Sequence, residues 1–154
     1  MDFLLDLLGN QIFISAVLGW FVAQVLKTLI HMILNKQFVA ERLVGGGGMP
    51  SAHSSTVCAL ATATGMRYGG GSFEFAVAVM LAIIVMYDAM GVRRETGKQG
   101  KVLNEILEAF THMGNQISAE KKLKEFVGHT PLQVLMGAIL GILIASLLGT
   151  FLFV

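Results

Sequence analysis

The sequence predicts an all-α integral membrane protein: a bundle of four transmembrane helices plus a cytoplasmic amphipathic surface helix. Three observations lead there. Hydrophobic residues make up 55% of the 154-residue chain and charged residues only 14%, with a mean hydropathy of +0.71; a soluble domain carries about 25% charged residues. Long apolar runs reach or approach the roughly 20 residues that a helix needs to cross a bilayer. Nearly all basic residues fall in two stretches between those runs. The length suits one membrane domain, residues 1–154. A formal charge of +1 gives no reason to expect a nucleic-acid partner. The single cysteine, Cys58, excludes an intramolecular disulfide and reads as a packed thiol in an apolar run. The N-terminal "MDFLLDLLGNQ" has Asp2 and Asp6 but no basic residue, so it is not read as a signal peptide.

The first expected span is residues 11–34. Gln24, Lys27 and His31 interrupt it at spacings of three and four, which puts them on one helical face. That face must look into the bundle or a wet site, because an ionisable group facing lipid is costly. The second span, residues 53–67, is shorter and rich in Ala, Ser and Thr, residues that suit close helix packing. "YGGGS" follows as a turn. The third span, residues 73–90, ends on Asp88, Gly91 and the pair Arg93-Arg94. In the polar stretch after it, Val102, Leu103, Ile106, Leu107 and Phe110 recur at helical spacing and predict the amphipathic helix. The fourth span is residues 131–154. Thr130, Pro131 and Gln133 supply its cap, first residue and third-position partner. Gly137, Gly141, Ala145 and Gly149 line one face, suited to packing within the chain or against a second copy in a homo-oligomer.

If the four spans alternate, the loops 35–52 and 91–130 share one side. They carry Lys36, Arg42, Arg93, Arg94, Lys98, Lys101, Lys121, Lys122 and Lys124, against Arg67 alone on the other side. The positive-inside rule makes this side cytoplasmic and both termini external, in a multi-pass protein of the cell membrane. The same side collects the chemistry-bearing residues. Lys27, His31 and Arg42 come with the first junction, Ser51 and His53 with the second, Asp88, Arg93 and Arg94 with the third, and His129 with the fourth. Cations and helix N-termini hold phosphate oxygens. One imidazole can attack phosphorus while another protonates the leaving oxygen. The glycine run Gly45–Gly48 before Pro50 would let backbone approach an anion. No carboxylate cluster accompanies the histidines, so neither a metal nor another cofactor is expected.

The motif "MPSAHS" resembles the Pro-Ser-Gly-His motif of the type-2 phosphatidic acid phosphatase superfamily, which includes vanadium-dependent haloperoxidases. "GHTPLQVLMGAILG" resembles its last motif, where a histidine opens a helix. Together with "YDAMGVRRETGKQ" these match its small membrane branch, the divergent acid phosphatase/haloperoxidase-related proteins, over nearly the whole chain. The resemblance implies a lipid phosphate substrate in a membrane-lipid setting. It implies His129 as nucleophile and His53 as the acid for the leaving group. It implies Ser51 and the amide of Ala52 as phosphate ligands, with Arg93 or Arg94 as the phosphate-binding arginine and Lys27 and Arg42 as the first motif's basic pair. The chain departs from the pattern in three ways. Leu123 stands six residues before the histidine, where the superfamily has arginine. Gln133 stands where an acidic partner is expected, leaving Asp88 as a candidate source of that charge. The first motif's lysine and Arg-Pro are not present as such.

Plainer readings exist for the same residues. Pro50, Ser51 and His53 fit helix capping, and the arginine pair fits a positive-inside anchor. Lys27 fits a snorkelling side chain. The leading expectation is a metal-independent phosphatase on a lipid phosphomonoester or diphosphate. The alternatives are a non-catalytic binder or transporter of phosphorylated lipids, which Gln133 favours, and a structural oligomer.

Overall fold

A computed structural model describes residues 2–36, 48–112 and 128–152. Among these are six α-helices and no strand: α1 (Asp2–Gly9), α2 (Gln11–Asn35), α3 (Ala52–Tyr68), α4 (Phe73–Met90), α5 (Val92–His112) and α6 (Pro131–Leu152). The four expected apolar segments correspond to α2, α3, α4 and α6, and the expected amphipathic helix to α5. The short α1 was not anticipated. It ends at Gly9, and Asn10 starts α2 as a cap whose side-chain oxygen accepts from the Ile12 and Phe13 amides.

Three helical stretches are long and apolar enough to cross a membrane: Gln11–Asn35, Phe73–Phe110 (which contains α4) and Pro131–Thr150. The fourth expected crossing, α3, is not among them. Its place explains why. α3 is the central helix and packs against α2, α4 and α6. A helix surrounded by protein needs small side chains for close approach, not a lipid-soluble surface. Hence its Ser, Thr and Ala content.

Polarity is arranged accordingly. The buried apolar residues are mostly alanines, and Ser15, Ser51, Ser54 and Ser55 are fully buried. Large apolar side chains such as Phe21, Ile33, Met80, Ile84, Leu135 and Leu147 face outward. In water this pattern would be an aggregation surface; in a bilayer the outward face is solvated by lipid.

The α3–α6 contact is the tightest. A Cβ added to Gly137 would overlap the Ser51 carbonyl oxygen, and one added to Gly141 would overlap the Ser55 carbonyl oxygen. Ala145 and Gly149, on the same face, are buried as well. The face that could have served a second copy is therefore covered by α3 of the same chain. On the other side of α3, the Ser55 hydroxyl donates to the Gly19 carbonyl oxygen of α2 at 2.8 Å. A Cβ on Gly19 would lie 3.0 Å from that of Ala59.

Replacing Gly141 by valine should force α3 and α6 apart and cost about 1–3 kcal/mol. Gly9→Ala, at a position with open space around it, serves as the neutral control. Thermal unfolding in detergent reads the difference; equal midpoints would refute the backbone contact.

Candidate functional site

Three helix ends and the middle of α2 meet in one polar cluster, and main-chain bonds join the three ends. Ser51 caps α3: its Oγ accepts from the Ser54 amide at 3.4 Å and from the Ser54 hydroxyl at 3.1 Å. Its carbonyl accepts the Ser55 amide at 3.1 Å. Its own N–H donates to the Gln133 carbonyl at 3.1 Å, which ties the start of α3 to the start of α6. The His129 N–H donates to the Ala89 carbonyl at 3.0 Å, which ties the start of α6 to the end of α4.

Gly128 completes the junction. It has φ +93, the left-handed region that favours glycine, and a Cβ there would overlap the backbone of Arg93 and Arg94. The residue before His129 thus lies directly on the first turn of α5. Sequence reasoning missed Gly128. The available signal was a glycine immediately before a capped helix start, "GHTP".

These contacts bring the two expected histidines together. The ring centroids of His53 and His129 lie 6.2 Å apart, inclined by 61°. His129 is buried. Its Nδ1 lies 3.2 Å from Gln133 Oε1, the same oxygen that accepts the Thr130 amide at 3.0 Å. The Gln133 amide in turn donates to Thr130 Oγ1 at 3.4 Å, closing the expected capping box. A carbonyl oxygen only accepts, so Nδ1 carries the imidazole proton and Nε2 keeps its lone pair. Burial holds the His129 imidazole below the ordinary histidine range. The Gln133 hydrogen bond opposes that shift, and the charges of Lys27 and Arg93, with His53, add to it.

Arg93 Nη1 lies 3.4 Å from His53 Nε2. A guanidinium only donates, so this contact needs an unprotonated Nε2 on His53. Arg93 Nε donates to Asp88 Oδ2 at 2.7 Å. Asp88 therefore braces Arg93, and the expectation that it supplies charge to His129 gives way to this pairing. Both arginines are exposed; Arg93 reaches His53, whereas Arg94 meets the site through its backbone, under Gly128.

Lys27 is buried on α2, and its charge acts on His129. Ser51 is fully buried and occupied as a cap, so its hydroxyl acts on the shape of the helix mouth. The first-turn amides of Ala52 and His53 lie at that mouth, the end of the helix where backbone donors face outward. Arg42, Gly45–Gly47 and Lys121, Lys122 and Lys124 lie outside the described residues. The arrangement joins one unprotonated, oriented imidazole nitrogen, a second imidazole, two cations and a helix N-terminus. Such a set can bind a phosphoryl group and act on it.

The family model described as "Divergent PAP2 family" matches residues 8–144. A protein of Bacillus subtilis (strain 168), the uncharacterized membrane protein YuiD, is 36% identical over 156 residues, covering 96% of this chain and 99% of that protein. No solved structure matches the chain.

The Gln133 contact yields a titration prediction. Gln133→Glu places a negative charge on His129 Nδ1–H and should raise the imidazole pKa above that of the wild type; Gln133→Leu should lower it. NMR titration of the His129 ring measures this order. Identical values in all three proteins would show that Gln133 does not govern the imidazole.

Proposed function

The chain belongs to the divergent PAP2 family, a phosphatase-related group of membrane proteins, and from that membership we propose that it is a membrane-embedded lipid phosphatase. It hydrolyses a phosphomonoester or diphosphate of a lipid through a phosphohistidine intermediate. The observation that carries the reading is the pair of imidazoles 6.2 Å apart, with the His129 proton fixed on Nδ1 by Gln133 and Arg93 resting on His53. The lipid tail stays among the outward apolar side chains while the phosphate enters the polar cluster. α3 crosses with its three neighbours. The site end, which carries Arg93, Arg94, Lys98 and Lys101, faces the cytoplasm.

In this mechanism the phosphate binds between the rings, held by Lys27, Arg93 and the Ala52 amide. Binding draws the Arg93 guanidinium from His53 to phosphate oxygens while Asp88 keeps its hold at Nε. The freed His53 Nε2 takes up a proton. His129 Nε2 then attacks phosphorus, and the P–O bond to the lipid breaks as His53 gives its proton to the leaving oxygen. Water next attacks the phosphohistidine, giving its proton to His53. The N–P bond breaks, inorganic phosphate leaves, and His129 regains its lone pair.

A second reading has one observation in its favour. His129 leans on a neutral amide, and the Asp88 carboxylate is committed to Arg93. Among the described residues no carboxylate pairs with His129 to offset the imidazolium that phosphorylation creates. The site then fits a binder or transporter of phosphorylated lipids that turns over slowly or not at all.

Phosphate release from a panel of lipid phosphates by the purified protein separates the two readings. His129→Ala and His53→Ala should each lower release by about 10²–10⁴-fold, and Arg93→Ala should lower it far more than Arg94→Ala. No release from any lipid, with tight binding of one, selects the binder. Release should also fall as pH drops through the His129 pKa, because protonation removes the Nε2 lone pair. Burial sets that fall below the ordinary histidine value of about 6.5. An acid limb above that value would contradict His129 as nucleophile.

A further inference from the structure

We propose that Gln24 is a specificity residue of the phosphoryl site: its side-chain oxygen accepts a hydrogen bond from a hydroxyl on the bound phosphate. The site then takes an oxyanion that carries a proton and rejects one that carries none. The starting observation is a buried acceptor with nothing to accept. Gln24 is 6% exposed, and its Oε1, shut off from solvent, has no hydrogen-bond partner. A buried polar atom left unpaired is costly and therefore rare, and it marks a place where a partner arrives. Hydroxyls of the same two helices are committed elsewhere. Thr28 Oγ1 donates to the main-chain carbonyl of Gln24 itself, Ser54 to Ser51 Oγ, and Ser55 to the Gly19 carbonyl.

The register of α2 on α3 puts this acceptor in the site. Ile12 packs on the cluster of Ala59, Ala63 and Ala145, Gly19 meets Ser55 and Ala59, and the Lys27 charge acts on His53. The two helices are thus antiparallel, and Gln24 falls between the Gly19 contact and the histidines. Its spacing of three from Lys27 gives both the same face. At 1.5 Å per residue it lies about 4.5 Å deeper along α2 than Lys27. Gln24 therefore stands on the floor of the polar cluster, beneath the cation.

An amide oxygen there repels a bare oxyanion oxygen and attracts a hydroxyl. Charge balance selects the same species. Among the described residues of the cluster, Lys27 and Arg93 are cations and Asp88 is an anion. With the rings uncharged, the sum is one positive charge, which a singly charged phosphate matches. A monoester in that state carries one P–OH, the donor that Gln24 lacks. That hydrogen stays on a non-bridging oxygen, distinct from the proton that His53 passes to the leaving group. The inference rests on the phosphoryl site proposed above and adds the protonation state of its ligand.

Inorganic phosphate and sulfate are the probes, added at neutral pH to the full-length protein in detergent and followed by the NMR shift of the His129 ring. Sulfate has the same shape but no proton in this range. The wild type should bind phosphate about tenfold more tightly than sulfate, and Gln24→Met should bring the two within about twofold. Equal binding by the wild type would overturn the role of Gln24 and leave the phosphoryl site standing, without any variant having to fold. Binding of neither anion would remove the site itself and the reading built on it. A folded Gln24→Met that keeps the preference would make the amide a packing group and overturn the proposal. Glycerol phosphate and propyl phosphate separate the other source of a hydroxyl, an alcohol on the lipid headgroup. Gln24→Met should weaken both to the same degree; a loss confined to glycerol phosphate would move the donor to the headgroup and overturn the P–OH contact.

Discussion

The approach of α3 to α6 governs the rest of the molecule. Gly137 and Gly141 let the backbone of α6 rest on the Ser51 and Ser55 carbonyls. At that separation the Ser51 amide can reach the Gln133 carbonyl, and Gln133 can present its side chain to His129. Widening the gap by the radius of one methyl group would break the first bond and shift the second. The packing that stabilises the bundle is thus also what aligns the two imidazoles. This is an economical use of small residues in a membrane, where apolar side chains gain nothing from leaving lipid and close contact must supply the attraction.

Electrostatics in the cluster follow from what each partner is able to do. Gln133 accepts, which puts the His129 proton on Nδ1; Arg93 donates, which leaves His53 Nε2 bare. Burial disfavours protonation of the His129 ring, and the charges of Lys27 and Arg93 act in the same direction. Asp88 is the counter-charge that holds Arg93 at its Nε.

The helices were legible because bilayer thickness and helical period both write directly into a sequence. The segments 11–34, 53–67 and 73–90 agree with α2, α3 and α4 to within about a residue at each end. The clustering of His53, His129, Lys27 and Arg93 was legible because packed helices that run up and down leave few ways to arrange their ends. What sequence could not decide were choices between near-equivalent groups. Arg93 and Arg94 are adjacent and chemically identical, and only their positions on the first turn of α5 separate them. Asp88 could pair with an arginine or with a histidine, and the spacing permits both. The small face of α6 could meet another copy or its own chain. The hydropathy of α3 is read correctly only once its neighbours are known, because a central helix and a soluble one have similar compositions.

Gly128 shows how such a site can escape detection by its motifs. Its backbone lies on that of Arg93 and Arg94, and the next amide bonds Ala89. The spacing between His129 and Arg93 is thereby set by main chain meeting main chain, across 36 positions of sequence, with no side chain needed to hold it. Residues around the junction can change while the register persists. A search keyed to the arginine's distance from the histidine along the chain would look at Leu123 and find nothing. The feature that keeps the register is one missing side chain, which an ordinary motif has no means to record.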